Sequence, residues 1–165
     1  MSVVDIAMSV ADAMTACIPR KLPTADSLRD CKLISHRGEH DNRRIHENTL
    51  QAFRTARSAG VWGLECDLRF TADAVPVICH DPDLQRVFGV RERLSDLDAA
   101  SLRRCCPLVP TLEEVLGEFG GRQHLMLEVK AENWPGQARC SGILRDMLAA
   151  LTPGDDFHLL SLDPT

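Results

Sequence analysis

Several polar residues stand where short apolar runs end. His36, Arg37 and Gly38 follow residues 33–35, and Glu65 and Asp67 lie within residues 62–68. His80 and Asp81 follow residues 75–79, and Glu128 and Lys130 sit at the end of residues 125–129. Two histidines, four acids, an arginine and a lysine thus recur in or at the ends of candidate strands. Strand ends are where α/β proteins usually carry their chemistry.

Glu65 and Asp67 are two apart, so on a strand both side chains point to one face. Two buried carboxylates on one face repel each other and lose hydration, which a divalent cation would offset. Glu128, from another strand, completes a three-carboxylate set. Oxygen ligands alone favour Mg²⁺ or Ca²⁺ over zinc. The plainer reading pairs one acid with Arg69 or Lys130 and leaves the others in solvent. His36 and His80 are the acid/base candidates, because an imidazole exchanges protons near neutral pH. Each could equally be a hydrogen-bonded structural group or a metal ligand. Arg37 offers a planar fork for phosphate or carboxylate, and Lys130 a point charge on the same strand face as Glu128. Asp81 reads as a group that orients a neighbour by hydrogen bonding. His40, His46, His124 and His158 read as structural or solvated.

These residues need a scaffold, and the composition supplies one. The chain has 165 residues, 44% hydrophobic and 26% charged, which suits a globular domain with a sizeable core. A net charge of −5 argues against a nucleic-acid surface that tracks phosphates. Seven cysteines occur without a CxxC pair, so a structural zinc site is not expected. Reduced thiols in a cytoplasmic protein are the expectation. No run reaches transmembrane length, and the N-terminus lacks the basic start of a signal peptide.

The positioning elements follow from apolar periodicity. Val3, Ile6, Val10, Met14 and Cys17 recur at helical spacing, so residues 1–30 read as an N-terminal helix and polar connector. Residues 31–165 read as the main domain. Its strands are expected over residues 31–35, 61–70, 75–79, 124–129 and 157–160. Helices are expected from Asn48 or Thr49 to Gly60, near residues 98–103, from Thr111 to Gly120, and over residues 138–151. Alternation of strand and helix implies parallel strands with helical crossovers.

Taken in order, the motifs resemble the glycerophosphodiester phosphodiesterases. The likeness rests on His36-Arg37-Gly38, Glu47-Asn48-Thr49, Glu65-x-Asp67, Thr71-x-Asp73, His80-Asp81, Pro110-Thr111-Leu112 and Glu128-x-Lys130. Phospholipases C of the phosphatidylinositol type share similar chemistry, but the Glu-Asn-Thr block points away from them. The resemblance implies a (β/α)8 TIM barrel with its site at the C-terminal strand ends. It implies hydrolysis of a glycerophosphodiester to sn-glycerol 3-phosphate and an alcohol. It carries metal ligation to Glu65, Asp67 and Glu128, acid/base roles to His36 and His80, and phosphate contact to Arg37 and Lys130. Glu47 would lie near the site, as a ligand or behind the ligands. The implied route is attack by the neighbouring glycerol hydroxyl, giving a cyclic phosphate that water opens; direct attack by water is the other route.

Two departures stand out. Ala74 occupies the place where the family usually has glycine, at a cost of ~1 kcal/mol if the turn needs a positive φ. A full barrel also takes about 250 residues and eight strands. Five strands are legible, so a truncated barrel is expected, with an open edge through which copies could self-associate.

Overall fold

The computed structural model describes residues 22–161, and the chain divides between Cys31 and Lys32 into two units. The described part of the first carries a short helix, α1 (Ala25–Arg29), capped by the Thr24 side chain on Ser27 N–H. The helix expected over residues 3–17 lies outside the described residues.

The second unit begins with β1 (Ile34–His36), α2 (Leu50–Ser58), β2 (Gly63–Phe70) and β3 (Pro76–Ile78). A helical excursion follows: α3 (Gln85–Phe88), a 3-10 turn (Leu94–Asp96), α4 (Ala99–Cys105) and α5 (Leu112–Phe119). The chain then returns through β4 (His124–Val129), α6 (Gln137–Leu148) and β5 (Phe157–Leu160). Local chemistry explains the boundaries. Thr49 caps α2 by accepting from Ala52 N–H, and Thr111 forms a reciprocal capping box with Glu114 at the start of α5.

The wall of the sheet is β1-β2-β4-β5, with all three pairings parallel. Eight-residue β2 is buried along its whole length and alternates in character. Leu64, Cys66, Leu68 and Phe70 pack with Phe53 and Ala56 of α2, Val115 and Phe119 of α5, and Leu144 and Leu148 of α6. Glu65, Asp67 and Arg69 are thereby turned to the opposite face. One alternation thus builds the core and delivers the polar set.

The third strand departs from expectation. Residues 76–78 are a buried strand, as their apolar run suggests, but β3 pairs antiparallel with β2 and stands outside the wall. Four parallel strands, not five, therefore form the wall. The physical reason lies in the link, which is a tight turn at residues 71–74 and not a helix. A parallel return needs a crossover of a dozen residues or more, whereas a short turn permits only an antiparallel one. Thr71 closes that turn: its N–H donates to Val75 O at 3.0 Å, and Ala74 N–H donates back to Thr71 O at 2.9 Å. Ala74 sits at φ 67, the left-handed conformation that glycine accepts without cost.

The excursion carries a small core of its own. Val77, Cys79, Leu84, Leu94, Leu102, Cys106 and Val109 pack together, with Phe88 against them. This cluster anchors β3 and α3, the two elements that flank His80 and Asp81.

Candidate active site

Strand register brings the predicted residues together. His36 pairs with Glu65 between β1 and β2, and Asp67 pairs with Glu128 between β2 and β4. In a parallel ladder such partners share a face. The carboxylates of Glu65, Asp67 and Glu128 place ligand oxygens all within 4.8 Å of one another. The antiparallel turn of β3 adds His80. Ile78 pairs with Leu68, and Cys79 N–H donates to Asp67 O at 2.9 Å, so the next residue emerges beside the acids.

Asp67 is fully buried and is the hub. Lys130 Nζ lies 2.7 Å from its Oδ1 and 2.6 Å from Glu128 Oε1. Arg37 Nε lies 3.1 Å from Asp67 Oδ2, and Asn48 donates to the same oxygen at 2.7 Å. Burial pushes the Asp67 carboxyl up, but Lys130, Asn48 and Arg37 outweigh that and hold it below its usual value. Glu65 has weaker support. Burial and the Asp67 charge push it up to about 7, against one N–H bond from Arg37.

Arg37 reaches this position through unusual backbone. It sits at φ 58, followed by Gly38 at φ 78. A Cβ on Gly38 would stand 2.7 Å from the backbone carbon of Ala52, so α2 packs against the loop only because the side chain is absent. Arg37 Nη1 also donates to Glu47 Oε1 at 3.1 Å. Glu47 accepts further bonds from Asn42 at 2.6 Å and from Arg86 at 2.6 and 3.1 Å. Burial works against the Glu47 charge, but these donors bring its carboxyl down to about 2.

The histidines differ in setting. His36 is 68% exposed at its side chain, with Nε2 3.8 Å from Glu65 Oε2. Burial and the adjacent Arg37 lower its pKa. His80 Nδ1 lies 2.6 Å from Asp81 Oδ1. Burial pushes the Asp81 carboxyl up, but Arg86 and His80 outweigh it and hold the group below its usual value. An ionised carboxylate only accepts, so His80 Nδ1 carries a proton, and Nε2 is the ring nitrogen outside this bond. Asp81 therefore orients His80, as its position suggested. His124 and His158 pair with each other at 2.8 Å, at the N-terminal side of β4 and β5 and away from the acids.

The donor set suits a divalent ion. Five carboxylates (Glu47, Glu65, Asp67, Asp81 and Glu128) meet three fixed cations (Arg37, Arg86 and Lys130). With Glu65 ionised, which a bound cation would favour, the surplus of two negative charges equals what a Ca²⁺ or Mg²⁺ ion would neutralise, and every ligand atom is a hard oxygen.

A model of the glycerophosphoryl diester phosphodiesterase family matches residues 36–158. The chain belongs to this family. It is 38% identical over 99 residues to a bovine (Bos taurus) glycerophosphodiester phosphodiesterase 1, covering 52% of this chain and 29% of that protein. It is 31% identical over 111 residues to a glycerophosphodiester phosphodiesterase of Caldanaerobacter subterraneus subsp. tengcongensis, covering 60% and 45%. The crystal structure of a glycerophosphodiester phosphodiesterase from Thermotoga maritima superposes with a TM-score of 0.68 at 26% identity, covering 80% of this chain and 54% of that one. The fold is thus part of a TIM barrel, and the chain spans about half the length of this solved relative.

Within this family member, three polar residues take roles that the sequence did not reveal. Asn48 was a candidate helix cap, but Thr49 caps α2 and Asn48, at φ 57, turns to Asp67. Arg69 pairs with none of the three clustered acids. It ion-pairs with Glu132 and donates to His80 O at 2.9 Å, which fixes the His80 backbone. Arg86 lay in a segment without clear periodicity. Its five-residue spacing from Asp81 was a weak signal, and only the tertiary structure shows that it also reaches Glu47.

Proposed function

We propose that this chain carries the catalytic site of a metal-dependent enzyme that hydrolyses glycerophosphodiesters to sn-glycerol 3-phosphate and an alcohol. The observation that carries the reading is the in-register convergence of Glu65, Asp67 and Glu128 with Arg37 and Lys130 beside them. A bound Ca²⁺ or Mg²⁺ would draw charge from the phosphate oxygens as the reaction proceeds. Arg37 and Lys130 hold the anionic phosphate, having been brought to the face by the acids they pair with. His36 and His80 exchange protons with the attacking hydroxyl and the leaving alcohol oxygen. The hydroxyl next to the phosphate on glycerol attacks with the advantage of proximity, and water opens the resulting cyclic ester.

The six described cysteines are free thiols, which supports a reducing cytoplasm. Among the described residues no helix is long and apolar enough to cross a membrane.

A second reading keeps the ligands without turnover. Its support is the cluster itself, where Lys130 Nζ lies 2.7 Å from Asp67 Oδ1 and 2.6 Å from Glu128 Oε1 and already neutralises oxygens a metal would use. Among the described residues Leu159 on β5 is 53% exposed, and self-association through that strand would be one way to cover it.

The test is phosphorus NMR on purified protein mixed with glycerophosphocholine and Ca²⁺ or Mg²⁺. The proposal expects sn-glycerol 3-phosphate to appear, with EDTA and Glu65→Ala each abolishing it. No release from any glycerophosphodiester by the folded protein rejects the proposal and leaves the second reading.

A further inference from the structure

Arg86 touches none of the three clustered acids, yet it ties the two halves of the site. Its Nε donates to Asp81 Oδ2 at 2.6 Å, and its Nη2 to Asp81 Oδ1 at 3.3 Å. On the other side, Nη2 donates to Glu47 Oε1 at 2.6 Å and Nη1 to Glu47 Oε2 at 3.1 Å. A guanidinium has five N–H groups, and four of these are thereby committed. Little donor capacity remains for a phosphate.

Each partner leads to a reacting group. Asp81 holds the Nδ1 proton of His80 at 2.6 Å. Glu47 holds Arg37 at 3.1 Å, and Arg37 in turn holds Asp67 at 3.1 Å. A continuous chain of hydrogen-bonded and ionic contacts therefore runs His80–Asp81–Arg86–Glu47–Arg37–Asp67. The α3 backbone that carries Arg86 is fixed on both sides, by fully buried Leu84 and by Phe88 against the same small core.

We propose that Arg86 is a positioning residue, whose forked guanidinium sets the His80 ring through Asp81 and locks it in register with the phosphate-holding Arg37 through Glu47. The inference rests on the acid/base reading of His80. Lysine would not replace it, because one ammonium cannot present parallel N–H pairs to two carboxylates. Without Arg86, Asp81 loses its anchor, and the His80 ring is free to rotate and exchange tautomers. Arg37 keeps its contact with Asp67, so phosphate binding suffers less than proton transfer.

The test has two readouts. Side-chain nitrogen NMR of His80 in the folded 165-residue chain needs no activity. Wild type shows one tautomer with Nδ1 protonated, whereas Arg86→Ala, Arg86→Lys and Asp81→Asn all show averaged nitrogens. Arg86→Lys keeps the stem and the charge, so it reports on the fork even if Arg86→Ala does not fold. Retention of the wild-type pattern in either folded Arg86 variant overturns the proposal. Kinetics on glycerophosphocholine is the second readout. Arg86→Ala lowers kcat by about 10- to 100-fold, with KM changed by no more than about twofold. Adding Asp81→Asn to Arg86→Ala causes no further loss, since both act through one ring. A rise in KM at unchanged kcat, or losses that multiply, overturns it. Absence of turnover in wild type refutes the proposed function, while the NMR readout still decides the role of Arg86.

Discussion

Replacing Glu65 with glutamine separates what the carboxylate costs the fold from what it gives a metal ion. Glu65 is buried beside Asp67, and its carboxyl is pushed from 4.5 up to about 7. A shift of that size disfavours the ionised form in the fold by about 3 kcal/mol. The sign follows from the direction. The folded state holds this proton more tightly than the unfolded chain, so the penalty is absent below 4.5. It grows as pH rises and is complete above about 7. Glutamine copies the shape of the protonated acid and never carries the charge. Without metal, Glu65→Gln should therefore match wild type near about pH 4 and exceed it by up to about 3 kcal/mol near about pH 8. Added Ca²⁺ narrows that gap. An ion at a hundred times its dissociation constant stabilises the folded protein by about 2.7 kcal/mol, and the variant, short of a charged ligand, gains far less. Urea unfolding at both pH values, with Ca²⁺ and with EDTA, measures all four quantities. If Glu65→Gln is the less stable protein near about pH 8 in EDTA, the crowding argument is wrong. An equal gain from Ca²⁺ in both proteins would remove Glu65 from the ligand set.

Further perturbations probe the backbone and the cations. Gly38→Ala adds left-handed strain and a Cβ 2.7 Å from Ala52 backbone, and should lower unfolding free energy by about 2–4 kcal/mol in urea; an unchanged midpoint contradicts the close packing. Ala74→Gly relieves strain of ~1 kcal/mol at φ 67 but gives up a buried methyl worth up to ~0.8 kcal/mol, so its midpoint should move by well under about 1 kcal/mol. A larger loss would mean that packing outweighs strain at that turn. Lys130→Met frees the oxygens of Asp67 and Glu128 that the ammonium now neutralises. Calorimetric affinity for Ca²⁺ should rise by about tenfold while turnover falls, and weaker Ca²⁺ binding would show that the lysine supports the ion and does not compete with it.

Much of the site was legible because strand alternation is a local property. Glu65 and Asp67 share a face with period two, and the apolar residues between them fill the core, so one stretch of sequence declares both roles. Asp67 and Glu128 are 61 positions apart, one within an apolar run and the other near the end of one, and parallel register aligns them. Lys130 was readable both as a partner of the acids and as a phosphate contact, and the first of these is what the geometry displays. The direction of β3 was not readable from its apolar run. Three buried residues carry no mark of strand direction, and the deciding feature was the short turn before them. Arg86 was hidden for a different reason. Its two partners come from separate loops, 39 and 5 positions away, and no periodicity links such residues.

The central claim is that Glu65, Asp67 and Glu128 form one divalent-cation centre. Isothermal titration of the folded chain with Ca²⁺ and with Mg²⁺ tests it most directly. The account predicts about one ion bound per chain, with binding lost or weakened by about a hundredfold or more in each of Glu65→Gln, Asp67→Asn and Glu128→Gln. Absence of binding by the folded wild-type chain, or binding that persists unchanged in all three variants, would contradict it.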